Sequence, residues 1–107
     1  MARIYRAYFA HVDNDGQDLD VGMLHDTILT ELVRQCVPTG TLYLVSAVHN
    51  GRFEPATVLE VLDPERGLEL GAPPGAVVSL ARRVKAHFRL ARVVVTAQGG
   101  DTQLMEV

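Results

Sequence analysis

Residues 19–37, LDVGMLHDTILTELVRQCV, form the longest stretch with a helical period. Apolar side chains recur at Val21, Leu24, Ile28, Leu29, Leu32, Val33 and Cys36. That is the spacing of a helix with one buried stripe. Thr27, Thr30, Glu31 and Arg34 fall on the other side. Asp18 or Asp20 is placed to cap the start, and Pro38 and Gly40 are expected to stop the end. A one-sided helix needs a surface to lie on. The flanking segments read as strand, so the chain is restricted to layers of helix on sheet.

The length of 107 residues suits a single domain, and an apolar content of 48% is enough to fill a core without staples. Cys36 is the only cysteine, so no intrachain disulfide can form. A reducing, cytoplasmic setting is expected, with Cys36 as a small buried hydrophobe. The N-terminus carries Arg3 and Arg6 and no long apolar run, so neither a signal peptide nor an anchor is expected. No apolar segment approaches the ~20 residues that span a bilayer. A net charge of −3 disfavours nucleic acid. The charges are unevenly spread, however. Asp13, Asp15, Asp18, Asp20 and Asp26 cluster without cations, and Arg82, Arg83, Lys85, Arg89 and Arg92 form a basic block. One acidic and one basic pole are expected.

Residues 3–12, RIYRAYFAHV, read as a first strand, with Tyr5, Ala7 and Phe9 on one face. Ile4, Arg6, Tyr8, Ala10 and Val12 occupy the other, which is placed outward because burying an unpaired guanidinium is costly. Residues 13–18, DNDGQD, connect to the helix. Set on Gly16, an EF-hand loop would need ligands where His11 and Gly22 stand, so an acidic loop facing a helix N-terminus is the better reading.

Residues 41–49 and 52–62 are strands joined by Asn50-Gly51, a type I′ hairpin signal. A two-residue loop sets His49 opposite Arg52, Val45 opposite Ala56 and Tyr43 opposite Val58. Leu42, Leu44, Val48, Phe53, Leu59 and Val61 then share the face assigned to the helices. Pro55 lacks an N–H toward any third strand, which should stop short of it unless the chain bulges there. Asp63–Gly67 is a turn, and a second helix is expected over 75–89 with Val77, Leu80, Ala81, Val84 and Phe88 as its stripe. Residues 90–97 return as a strand and pair through Gln98–Asp101 with a last strand, 102–107. The order β-α-β-β-α-β plus a C-terminal strand predicts an α+β, two-layer ferredoxin-like sandwich: an antiparallel sheet with both helices on one face.

The uncovered sheet face is then the candidate surface. Arg6, Tyr8, Tyr43, Val45, Arg52 and Val58 lie on it and make it more apolar than a solvated face should be. The leading expectation is a binding domain that forms a homo-oligomer, a dimer, through this face, with room for a small-molecule ligand; loop 63–75 is the alternative cover. The rival is an enzyme of dimeric α/β-barrel type with its pocket between sheet and helices, using His11, His49 and Tyr8, with Tyr43 and Arg6 nearby. A further rival is nucleic-acid or phosphate binding by Arg82, Arg83, Lys85 and Arg89, against which stands a simple solvated helix face. His11, His25, His49 and His87 follow no metal-ligand spacing, His25 reads as a core histidine, and no cofactor motif is present.

Overall fold

The computed structural model describes residues 3–37, 39–63, 75–99 and 101–107. The elements are β1 (Arg3–Ala10), α1 (Val21–Arg34), β2 (Thr41–His49), β3 (Arg52–Asp63), α2 (Ala76–Phe88), β4 (Val93–Gly99) and β5 (Asp101–Glu106). They build one sheet of five strands in the order β2-β3-β1-β4-β5 with every neighbouring pair antiparallel. This is ferredoxin-like topology with β5 added beside β4. Among the described residues no helix is long and apolar enough to cross a membrane.

The hairpin register is the one the Asn50-Gly51 turn dictates: His49 opposite Arg52, Val45 opposite Ala56, Tyr43 opposite Val58. Both turn residues have positive φ, 51° and 75°. β1 pairs along β3 only as far as Ala56, one residue short of Pro55. The core lies between sheet and helices, with Phe9, Leu24, Ile28, Leu59, Leu80 and Val93 fully buried. Gly40 lets the chain pass close under α1: a Cβ there would sit 3.1 Å from Leu59 Cδ1 and 3.6 Å from Leu32 Cδ1.

The stripe of α1 differs from the sequence expectation. Leu24, Ile28 and Leu32 are buried, but so is Glu31, whereas Leu29 and Val33 are exposed. The helix packs against two things at once. Its Glu31 side meets α2, where Arg83 Nε donates to Glu31 Oε2 at 2.9 Å. Its Leu29–Val33 flank faces away from α2, beyond the covered part of the sheet.

The helix also ends earlier than expected, and by a different device. Cys36 takes left-handed φ 56°, its N–H bonds Val33 O, and Val37 N–H bonds Leu32 O. This is a Schellman stop with cysteine in the position glycine prefers. Cys36 is therefore exposed rather than a core hydrophobe. Pro38, the expected stop, lies outside the described residues. Asp20 caps the start by accepting from Met23 N–H at 3.1 Å.

A further correction concerns the hairpin. Leu59 and Val61 are buried under the helices and Leu42 partly so. Leu44, Val48 and Phe53, assigned to the same cover, are 64%, 66% and 83% exposed. The hairpin runs past the end of β1, and α1 does not reach over its edge strand.

Cys36→Gly removes the steric cost of a left-handed side chain and should raise stability by about 1 kcal/mol. Urea denaturation of the two proteins measures this.

Candidate functional site on the open sheet face

Strand alternation puts Arg6, Tyr8 and Ala10 of β1 on the face opposite the helices. Glu60, Val58, Ala56 and Glu54 of β3 join them, with Tyr43, Val45, Ala47 and His49 of β2 and Arg92, Val94 and Thr96 from the β4 side. Val58 lies between Tyr8 and Tyr43, whereas Ala10 and Ala56 lie opposite each other with Val45 beyond Ala56. Among the described residues no helix covers Ala10, Ala56 and Val58, yet all three are buried. Val58, expected as a contact group, lies opposite both Tyr8 and Tyr43 and is fully buried, so it forms floor rather than contact surface.

Two ion pairs frame that floor. At one end Arg6 Nε donates to Glu60 Oε2 at 2.8 Å, and the Tyr43 hydroxyl donates to the same oxygen at 3.2 Å. The hydrogen bond from Arg6 holds the Glu60 carboxyl below its ordinary value. Burial is the main cause pushing the Tyr43 phenol up. At the other end Arg92 Nη2 donates to both oxygens of Glu54. Between them lies a basin of about 350 Å³, lined by Tyr8, His49, Glu54, Arg92 and Leu104 over the two alanines. The exposed Arg52 stands at the hairpin, and Val45 is half-buried.

The three groups expected to act together as a catalytic set are separated. Tyr8 and His49 line the basin, and Asn50 Nδ2 donates to His49 Nε2 at 3.1 Å. His11 points the other way, through the sheet to the helix side. There its Nε2 lies 2.6 Å from Thr57 Oγ1, and His25 Nε2 lies 2.8 Å from the same oxygen. A hydroxyl has one proton to give, so one imidazole accepts it and the other donates an N–H to Oγ1. Burial, aided by the neighbouring His25, pushes His11 down. His25 is thus a core-side histidine with a partner, as its position on α1 suggested. Thr57 carried no sequence signal beyond its place in a strand.

The basic set is not one patch. Arg83 is spent on Glu31, and the Lys85 ammonium donates to the Val107 carbonyl. Arg89 lies 3.6 Å from Asp15, and Arg82 is exposed. The Arg89–Asp15 contact also places the acidic loop against the basic helix end, correcting the expectation of opposite poles. In that loop Asp13 Oδ1 accepts from Asp15 N–H and Gln17 N–H, at 2.8 and 2.9 Å. Among the described residues no cluster of three or more His, Cys, Asp or Glu side chains is placed to hold a metal ion. Of loop 63–75, residues 64–74 lie outside the described part, as does most of the expected turn at 63–67.

No protein-family model matches this chain, and no curated protein matches it. Solved structures do. A phage SAM lyase in complex with S-methyl-5'-thioadenosine superposes with TM-score 0.65 at 17% identity, over 99% of this chain and 90% of that one. A phage SAM lyase in the apo state gives 0.60 at 16%, over 98% and 89%. A de novo designed protein, Foldit4, gives 0.58 at 16%, over 94% and 100%. At these identities the likeness is one of fold.

Thr57→Val keeps the shape of the buried site but strands two imidazoles, and should cost about 1–3 kcal/mol by urea denaturation. Thr57→Ser should recover most of it. Because His11 protonates less readily in the fold, the unfolded chain gains a proton first as pH falls through about 6.5. Stability should therefore decline from that pH toward the lower folded-state value. In His11→Gln the decline over this window, followed by the denaturation midpoint, should be shallower.

Proposed function

We propose that this protein is a homo-oligomeric binding domain that holds a small molecule in the basin of its open sheet face and closes the basin with a second copy. The observation that carries this reading is the basin itself: a floor of buried small residues, an aromatic wall at Tyr8 and a charged rim at Arg92–Glu54. Its volume of about 350 Å³ falls at the lower end for small-molecule sites. Such sites bury most of the ligand, and a basin open on one side cannot. A facing surface supplies the missing wall. The same face exposes Leu62, Leu104 and Tyr43, at 57%, 73% and 37%, apolar area that association would cover.

A second reading concerns the ligand and the chemistry. The similarly folded phage protein is a SAM lyase complexed with S-methyl-5'-thioadenosine. The ring of Tyr8 suits stacking on an aromatic base, and the Arg92–Glu54 pair sets polar groups at the rim beside it. On this reading the chain binds S-adenosylmethionine or its thioether product, and catalysis is an addition to binding.

Calorimetric titration with S-methyl-5'-thioadenosine and with S-adenosylmethionine tests both readings, alongside light scattering. Saturable binding of either compound is expected, lost in Ala47→Phe, which fills the basin. Leu104→Glu should lower the solution mass. Release of S-methyl-5'-thioadenosine from S-adenosylmethionine, followed by chromatography, would make the protein a lyase. Failure to bind either compound, together with a mass that Leu104→Glu leaves unchanged, would remove the proposal.

A further inference from the structure

Among the described residues β2 is an edge strand with none of the features that keep edges apart. Its nine residues, TLYLVSAVH, contain no Pro, Gly, Lys, Arg, Asp or Glu. The opposite edge, β5, is shorter, at six residues, and carries Asp101 and Glu106. Edges are normally blunted by charge, proline, bulges or brevity. β2 pairs with β3 residue for residue along its whole length, without a bulge.

The backbone groups that this edge offers follow from the hairpin. A two-residue turn makes His49 and Arg52 a hydrogen-bonded pair, so odd-numbered residues of β2 bond to β3. Leu42, Leu44, Ser46 and Val48 therefore direct N–H and C=O away from the sheet. Their side chains lie on the helix side, where Leu44 and Val48 are 64% and 66% exposed, and Phe53 opposite Val48 is 83% exposed.

One layer up, α1 shows apolar groups toward the same edge. At about 100° per residue, Leu29 and Val33 lie on the flank away from Thr27, Glu31 and Arg34, the residues that face α2. They are 51% and 79% exposed. The edge thus has free backbone groups below and apolar side chains above.

We propose that β2 pairs antiparallel with β2 of a second copy, about a two-fold axis perpendicular to the sheet near Val45. This register overlaps the full strand, setting Leu44 beside Ser46 and Leu42 beside Val48 of the other copy. The axis keeps both helix layers on one side, so the α1 flanks with Leu29 and Val33 face each other over the junction. A foreign extended peptide would satisfy the same backbone groups, but it has no second layer to cover the helix flank. A copy of this chain brings one at the same height. Nine residues of strand span ~30 Å. Along that length the pairing satisfies the outward N–H and C=O groups of Leu42, Leu44, Ser46 and Val48 in both copies. The contact uses the edge and helix flank, not the open face, so it stands independently of the basin.

Hydrogen exchange of the wild-type protein at low and high concentration, with sedimentation in parallel, tests this. Protection of the Leu42, Leu44, Ser46 and Val48 amides should rise with concentration as the mass doubles. Ser46→Pro removes one outward N–H opposite Pro55, and Val33→Lys charges the helix flank without touching a strand. Each should halve the mass with the circular dichroism spectrum retained, whereas Leu104→Glu on the open face should leave those four amides protected. If Ser46→Pro does not fold, Val33→Lys decides alone. Four amides that exchange freely at high concentration, or a mass that Val33→Lys leaves unchanged, would overturn the proposal.

Discussion

The helix layer is narrower than the sheet it covers, and most other features follow from that mismatch. Among the described residues two helices leave part of a five-stranded sheet uncovered. The central strands take the cover. β1 and β3 bury Tyr5, Ala7, Phe9, Leu59 and Val61 beneath the helices. The cover runs out at β2 and at the hairpin tip, where Leu44, Val48 and Phe53 stand in solvent on the side that ought to be core.

Polar groups inside the sandwich sit at its seams. Glu31 bridges the two helices through Arg83, and Thr57 links β1 to α1 by receiving an imidazole from each. Each is a buried polar group that is tolerable only because its partner is supplied from another element. Such groups specify which element lies beside which, more than they add net stability. The His11–Thr57–His25 contact in particular fixes where the start of α1 meets β3.

The reverse of the sheet solves a different problem. Among the described residues no helix lies on this face, and Val58 is flanked there by Tyr8 and Tyr43. Arg6, Glu60 and Tyr43 tie together at one end, and Arg92 and Glu54 at the other. Fixing these long side chains in pairs leaves a shaped hollow over Ala10 and Ala56 rather than a flat solvated surface. That hollow and its polar rim are the ground of the binding role proposed for this face.

The order of elements, the Asn50-Gly51 register and the facing of β1 were all legible in the residues, because strand and helix periods and a two-residue turn are local properties. The two-sided apolar character of β1 likewise announced a central strand. What the residues could not reveal was how far each layer extends. An apolar residue at the right period has the same local signature whether a helix covers it, as at Leu59, or stops short of it, as at Leu44. For the same reason Glu31 looked solvated and Val33 looked buried: the rotation of α1 is set by α2 and the sheet together. The meeting of His11, Thr57 and His25 arises from contacts 46 and 32 residues apart in the chain, whereas the separation of His11 from Tyr8 follows from strand alternation alone. Periodicity determined each element's faces; only packing among distant elements decided which of those faces found a partner.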